Sequence, residues 1–154
     1  MSLDRFIAKW THPEYPPNSV VASDLDRIEE HFGFAFPLDY RTEILKHGLP
    51  RPTIKLLDAI VDQQLDLEDV GDFLSPDEVA KRTAAWRSIG LADRFVIFAS
   101  DCMGNAFCFN VEECPTARVR SAPVWFFDHD LGTVKKIARS FGEWVARFCQ
   151  IDAT

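Results

Sequence analysis

The chain has 154 residues, 47% hydrophobic and 27% charged, with 24 Asp and Glu against 17 Lys and Arg, giving a formal net charge of −7. These proportions suit one soluble globular domain, long enough to bury a core without disulfides or a structural metal. They exclude a stand-alone nucleic-acid binder, which needs clustered Lys and Arg, and a spanning helix, because no apolar run nears about 18 residues.

Leu3 to Trp10 predicts a short amphipathic helix with Phe6, Ile7 and Trp10 on one side. Asp4, Arg5 and Lys9 leave no apolar heart for a leader peptide, which predicts a cytoplasmic protein. The prolines of "THPEYPPNS" then interrupt regular structure. Residues 1–22 are thus a helix and a Pro-rich segment ahead of the main body. Ser23 reads as an N-cap with Asp26 three residues on, Leu25, Ile28 and Phe32 follow at helical spacing, and Gly33 is a fitting stop. Pro37 opens a second helix in which Leu38, Arg41, Thr42 and Leu45 share a face, with Tyr40 and Ile44 beside it, and Gly48 ends it. "LPRPTIKLL" predicts a loop and a short strand. From Asp58 to Phe73 the pattern is ambiguous: acids at 58, 62 and 66 fit a helix, while "IKLLDAIV" also fits a strand.

"SPDE", Ser75 to Glu78, starts a helix with cap, proline and first-turn acids, and Val79, Thr83 and Trp86 form its inner stripe. The period then changes to two. "RFVIFAS", "AFCFNV" and "APVWFF" predict three strands, and the successive apolar residues of "FVIF" and "VWFF" predict that both faces of those two are covered. Thr133 to Gln150 predicts one long amphipathic helix, with Val134, Ile137, Phe141, Val145 and Phe148 inward and Lys135, Lys136, Arg139 and Arg147 outward. The fold class expected is α+β: a single domain over residues 1–154, mainly an antiparallel sheet flanked by helices, closed by that long helix.

Chemistry is sparse. Cys102, Cys108, Cys114 and Cys149 form no C-x-x-C pair and no zinc spacing, so neither a metal nor another cofactor is expected. "SDCMGNAFCF", Ser100 to Phe109, holds an acid and two thiols, but Gly104-Asn105 between two β-patterned runs explains it as a tight hairpin. A nucleophilic Cys102 would need a nearby base. Asp128-His129-Asp130 resembles an acid–base site. Adjacent strand residues point to opposite faces, however, and the simpler reading is that Asp130 or Thr133 caps the last helix.

Charge is unevenly placed. From Leu56 to Ala80 there are eight acids (Asp58, Asp62, Asp66, Glu68, Asp69, Asp72, Asp77, Glu78) and no Lys or Arg, while the remainder has seventeen bases against sixteen acids. Such a block is either a solvated surface or a docking face for a basic partner.

"FVIFASDCMGNAFCFN", "APVWFFDHD" and "VKKIARSFGEWVARF", preceded by "LDRIEEHFGFAFPLDYRTEILKHG", resemble in order and spacing the Smi/Knr-like family, also called the SUKH superfamily. The resemblance covers residues 23–150, unmatched from Arg51 to Leu91. Gly104 alone stands where the family often has several glycines, and His47-Gly48-Leu49 replaces its usual paired glycines. The resemblance implies a non-catalytic protein-binding module. Its bacterial members look like immunity proteins that neutralise polymorphic toxins, many of them basic nucleases; its fungal members look like regulators of cell-wall synthesis. A basic toxin domain is therefore the expected partner, with no direct nucleic-acid or membrane contact. The expected docking residues are Asp62, Asp66, Glu68, Asp69 and Asp72, with Asp101 and Asp128, which match the family's strand-end acids, shaping an adjacent cleft. The competing readings are a scaffold of the cell-wall-regulator type and an enzyme using Asp128 and His129.

Overall fold

The computed structural model describes residues 3–153. In chain order the elements are α1 (Leu3–Trp10), α2 (Ala22–Phe32), α3 (Leu38–His47), α4 (Ile54–Asp62), β1 (Asp72–Phe73), α5 (Pro76–Arg87), β2 (Phe95–Ser100), β3 (Ala106–Asn110), a 3-10 turn (Val111–Glu113), β4 (Val124–Asp128), β5 (Thr133–Ala138) and α6 (Phe141–Cys149). The five strands form one antiparallel sheet in the order β1-β2-β3-β4-β5. The fold is therefore α+β, and helices cover both faces of the sheet.

Two successive residues of β4 show how the faces divide. Phe126 packs on Phe107, which lies 4.8 Å ring to ring from Trp144 of α6. Phe127 points the other way and meets Trp86 of α5 at 5.5 Å. On the α6 side, Trp144 also touches Phe98, Tyr40 of α3 meets Phe98 and Phe141, and Phe6 of α1 meets Phe148. The Trp10 indole N–H donates to the Phe148 carbonyl at 2.9 Å, so the buried indole keeps a polar partner. On the α5 side, the buried Thr83 hydroxyl accepts from the Ile97 N–H at 3.0 Å, beside a register irregularity between Ile97 and Ala99. Every residue of β2 and β3 is buried, so "FVIF" is covered on both faces as its successive apolar residues predict, whereas in β4 Trp125 stays half-buried.

The punctuation read from sequence holds at several points. Gly33 and Gly48 end α2 and α3 at positive φ, and Ser75 and Glu78 form a capping box at α5. Other expectations are corrected. Residues 133–138 are a strand, not the start of a long helix. The turn after Asp128 returns the chain along β4, whose free edge supplies hydrogen-bond partners that a helix there would leave unpaired. The C-terminal helix begins at Phe141, capped by Ser140 and not by Asp130 or Thr133. Helix α2 begins at Ala22 with Val21 at its cap and no side-chain cap bond, so Ser23 lies inside it. Ile54–Asp62 is a helix and not a strand, started by the Thr53 hydroxyl accepting from the Lys55 N–H. In α3 the inward residues are Tyr40, Glu43 and Ile44, while Leu38 and Thr42 are exposed. Among the described residues no helix is long and apolar enough to cross a membrane.

Candidate functional site

The β2–β3 loop is built around Asp101. The carboxylate of this residue, only 6% exposed, accepts from the Met103 and Asn105 backbone N–H groups at 2.9 and 2.8 Å and from the Asn105 side-chain amide at 3.0 Å. Gly104 takes φ +85° at the apex, which glycine adopts without strain. Asp101 is thus consumed in holding the hairpin. The stretch Ser100 to Phe109 is a turn whose own acid serves as its acceptor.

The same Asn105 ties this loop to the next. Its side-chain oxygen accepts from the His129 backbone N–H at 3.2 Å and lies 2.7 Å from His129 Nδ1. Because the Asn105 amide nitrogen donates to Asp101, the oxygen must face the histidine, and Nδ1 is the donor. The imidazole lies against Trp86 at 5.4 Å, and its Nε2 is 3.3 Å from an exposed carboxylate oxygen of Asp130. Asp128 turns the other way in function: its Oδ1 accepts from the Asp130 and Leu131 N–H groups and closes the β4–β5 turn. The three residues do not converge on a common point. His129 is held as a bridge between two loops, and Asp128 is a turn residue.

Cys102 gives its backbone N–H to Asp69 Oδ1 at 3.4 Å and its thiol proton to the same carboxylate. Burial, and then repulsion from Asp69, push this thiol up to about 11, so at neutral pH it is a thiol and a poor nucleophile. Burial likewise pushes Cys114 up to about 12 and Cys108 higher still. Cys102, Cys108 and Cys114 form no disulfide. Among the described residues no three His, Cys, Asp or Glu side chains gather as a metal site.

The acidic stretch divides in space. Asp62, Asp66 and Glu68 are exposed. Asp69 is 7% exposed and faces inward to Cys102; burial raises its carboxyl above the usual aspartate range. Asp72 is half-buried, 3.9 Å from Arg82, and burial also raises it. Asp66 and Glu68 line a groove of about 220 Å³ whose other side carries Lys135, Lys136 and Arg147. Partial burial and the Asp101 charge raise Glu68, while Lys135 opposes the shift. The acids are continuous in sequence, but the surface they join at that groove carries both signs.

Sequence reasoning missed four contributors. The sequence marks Asn105 as a turn residue only, and nothing in its local pattern shows that it reaches the next hairpin. Ile54, Val61 and Leu65 are exposed apolar residues among the acids. For Ile54 and Val61 the signal was present in "IKLLDAIVD", which as a helix is apolar over more than half its circumference and so cannot bury all of it at the rim of a domain.

The model of the SMI1 / KNR4 family (SUKH-1) matches residues 20–147. No curated protein matches the chain.

Proposed function

The chain belongs to the SMI1 / KNR4 family (SUKH-1), and we propose that it is a non-catalytic protein-binding module: an immunity protein that neutralises a cognate bacterial toxin. The observation that carries this reading is the solvent-facing set Asp62, Asp66 and Glu68, in a stretch without Lys or Arg, beside exposed Val61 and Leu65. Carboxylates of this kind attract a basic partner and accelerate encounter, and apolar residues among them hold the complex once formed. A nuclease toxin has a basic substrate groove, and a group of carboxylates can occupy it as phosphates would.

The polar residues that look catalytic in sequence support the same reading. Asp128 is spent on the β4–β5 turn and His129 on the bridge to Asn105. Asp69 contributes little to a docking field because it faces inward.

The test is co-purification with the product of the neighbouring gene, followed by association kinetics over a range of salt. The Asp62→Lys/Asp66→Lys/Glu68→Lys variant is expected to associate roughly tenfold or more slowly at low salt, with a shallower salt dependence. Unchanged kinetics in that variant would sink the acidic docking face.

A further inference from the structure

Helix α4 is apolar around most of its circumference, and the fold uses only part of it. Leu56, Ala59 and Ile60 are buried. Ile54 and Val61 are 63% and 64% exposed, and Leu57 between them is half-buried. The spacing i, i+3, i+7 places these three in one stripe along the helix. Leu65, also exposed, follows just beyond the C-terminal end. Asp58 and Asp62, at i+4 and i+8 from Ile54, run parallel to the stripe and are exposed. A cleft of about 190 Å³, bounded by Ile54 and Leu57 on one side and Asp69 to Gly71 on the other, flanks it. One base, Lys55, stands at the N-terminal end; from Leu56 to Ala80 there is none.

We infer that this stripe is the anchor of a docking surface, and that it seats a partner segment carrying large apolar side chains flanked by Lys or Arg. The inference rests on the binding-module reading above and names the chemistry of the contact. Charge selects the occupant. A second copy of the chain would set Asp58 and Asp62 against their own counterparts. An anionic lipid surface or a nucleic acid would meet the same repulsion. A basic segment with apolar teeth satisfies both halves of the surface: its aliphatic or aromatic groups fill the space over Ile54, Leu57 and Val61, and its cations meet the row of acids. The two halves then do different work. The carboxylates govern how fast the partner arrives, and the desolvated apolar centre governs how slowly it leaves.

The probe is a synthetic amphipathic helical peptide with Leu at the stripe's spacing and Lys on its flanks. A second peptide carries Glu in place of Lys. Binding is read by fluorescence anisotropy and stopped-flow mixing. The Leu/Lys peptide is expected to bind the wild-type protein. The Ile54→Ser/Val61→Ser variant is expected to weaken it roughly tenfold or more, through faster dissociation. Asp58→Asn/Asp62→Asn is expected to slow association, and Leu131→Ser, exposed on the β4–β5 turn and not part of the cleft lining, to change nothing. Equal binding by Ile54→Ser/Val61→Ser overturns the inference, as does tight binding of the Leu/Glu peptide. So does a self-association, seen by sedimentation, that the same double variant dissolves. In complex with a toxin, charge reversal that weakens binding while Ile54→Ser/Val61→Ser does not would remove the stripe and leave the acidic face standing. A Leu/Lys peptide that depends on the stripe, with no toxin bound, would remove the toxin and leave the stripe.

Discussion

Helices α4 and α6 are both nine residues long and both rich in apolar side chains, yet they meet opposite fates. Helix α6 lies on the aromatic face of the sheet and buries Phe141, Trp144, Val145, Phe148 and Cys149. Helix α4 lies at the rim, buries one flank, and leaves Ile54 and Val61 in water. Hydrophobicity of the segment does not separate them; position does. Over the sheet a helix finds apolar partners on several sides, whereas at the rim it finds them on one. Apolar residues that serve stability in α6 are thereby left in part without cover in α4.

The contrast is broken most directly at its buried end. Trp144→Ala empties a site enclosed by Phe98, Phe107 and Phe148 and is expected to destabilise the fold by about 3–5 kcal/mol, measured by urea unfolding. A loss below about 1 kcal/mol would mean that α6 is no better packed than α4. On the opposite face, Thr83→Val keeps the shape but strands the buried Ile97 N–H, at an expected cost of about 1–3 kcal/mol. That loss should also show as faster amide exchange at Ile97.

A smaller effect sharpens the boundary between buried and presented acids. Burial raises the Asp69 carboxyl in the folded state above its unfolded value. The folded protein therefore keeps a proton there that the unfolded chain has released. The sign follows: the group's contribution to stability falls as pH rises through the window between the two values, and stays at the lower level above it. Asp69→Asn is expected to flatten that slope in the acid range and to leave neutral-pH stability no lower than wild type. The same variant removes the charge that helps hold the Cys102 thiol near 11, so Cys102 should alkylate faster at neutral pH. An alkylation rate equal to wild type would show that burial alone sets the thiol.

The smallest effect is expected in α4 itself. Ile54→Ser/Val61→Ser removes apolar groups that already face solvent and should shift stability by no more than about 0.5 kcal/mol per site. A larger loss would mean that these side chains belong to the core after all, and the comparison between the two helices would collapse.

Much of the fold was legible because local signals and tertiary demands agree. Ser75 and Glu78 cap α5 as their spacing requires, Gly104 turns the hairpin, and the consecutive apolar residues of β2 are covered on both faces. Legibility failed where one pattern fits two periods. "TVKKIA" places Val134 and Ile137 three apart, which reads as a helical stripe, but the open edge of β4 makes it a strand. "IKLLDAIV" reads equally as either element, and Thr53 at its start tips it to helix. For the candidate site, the acids were visible as residues but not as a surface: Asp69 and Asp101 differ from Asp62 and Asp66 only in what packs over them.

The amino-acid sequence by itself determined the α+β class, the hairpin at Gly104, the start of α5 and the crowding of negative charge between residues 56 and 80. These depend on backbone preference and on composition, which act over a few neighbouring residues. Only the tertiary structure decided which acids face solvent, that Asn105 links Asp101 to His129, and that one flank of α4 is left without apolar cover. Those outcomes depend on what a distant segment brings into contact, and exposure is a property of that neighbour as much as of the residue itself.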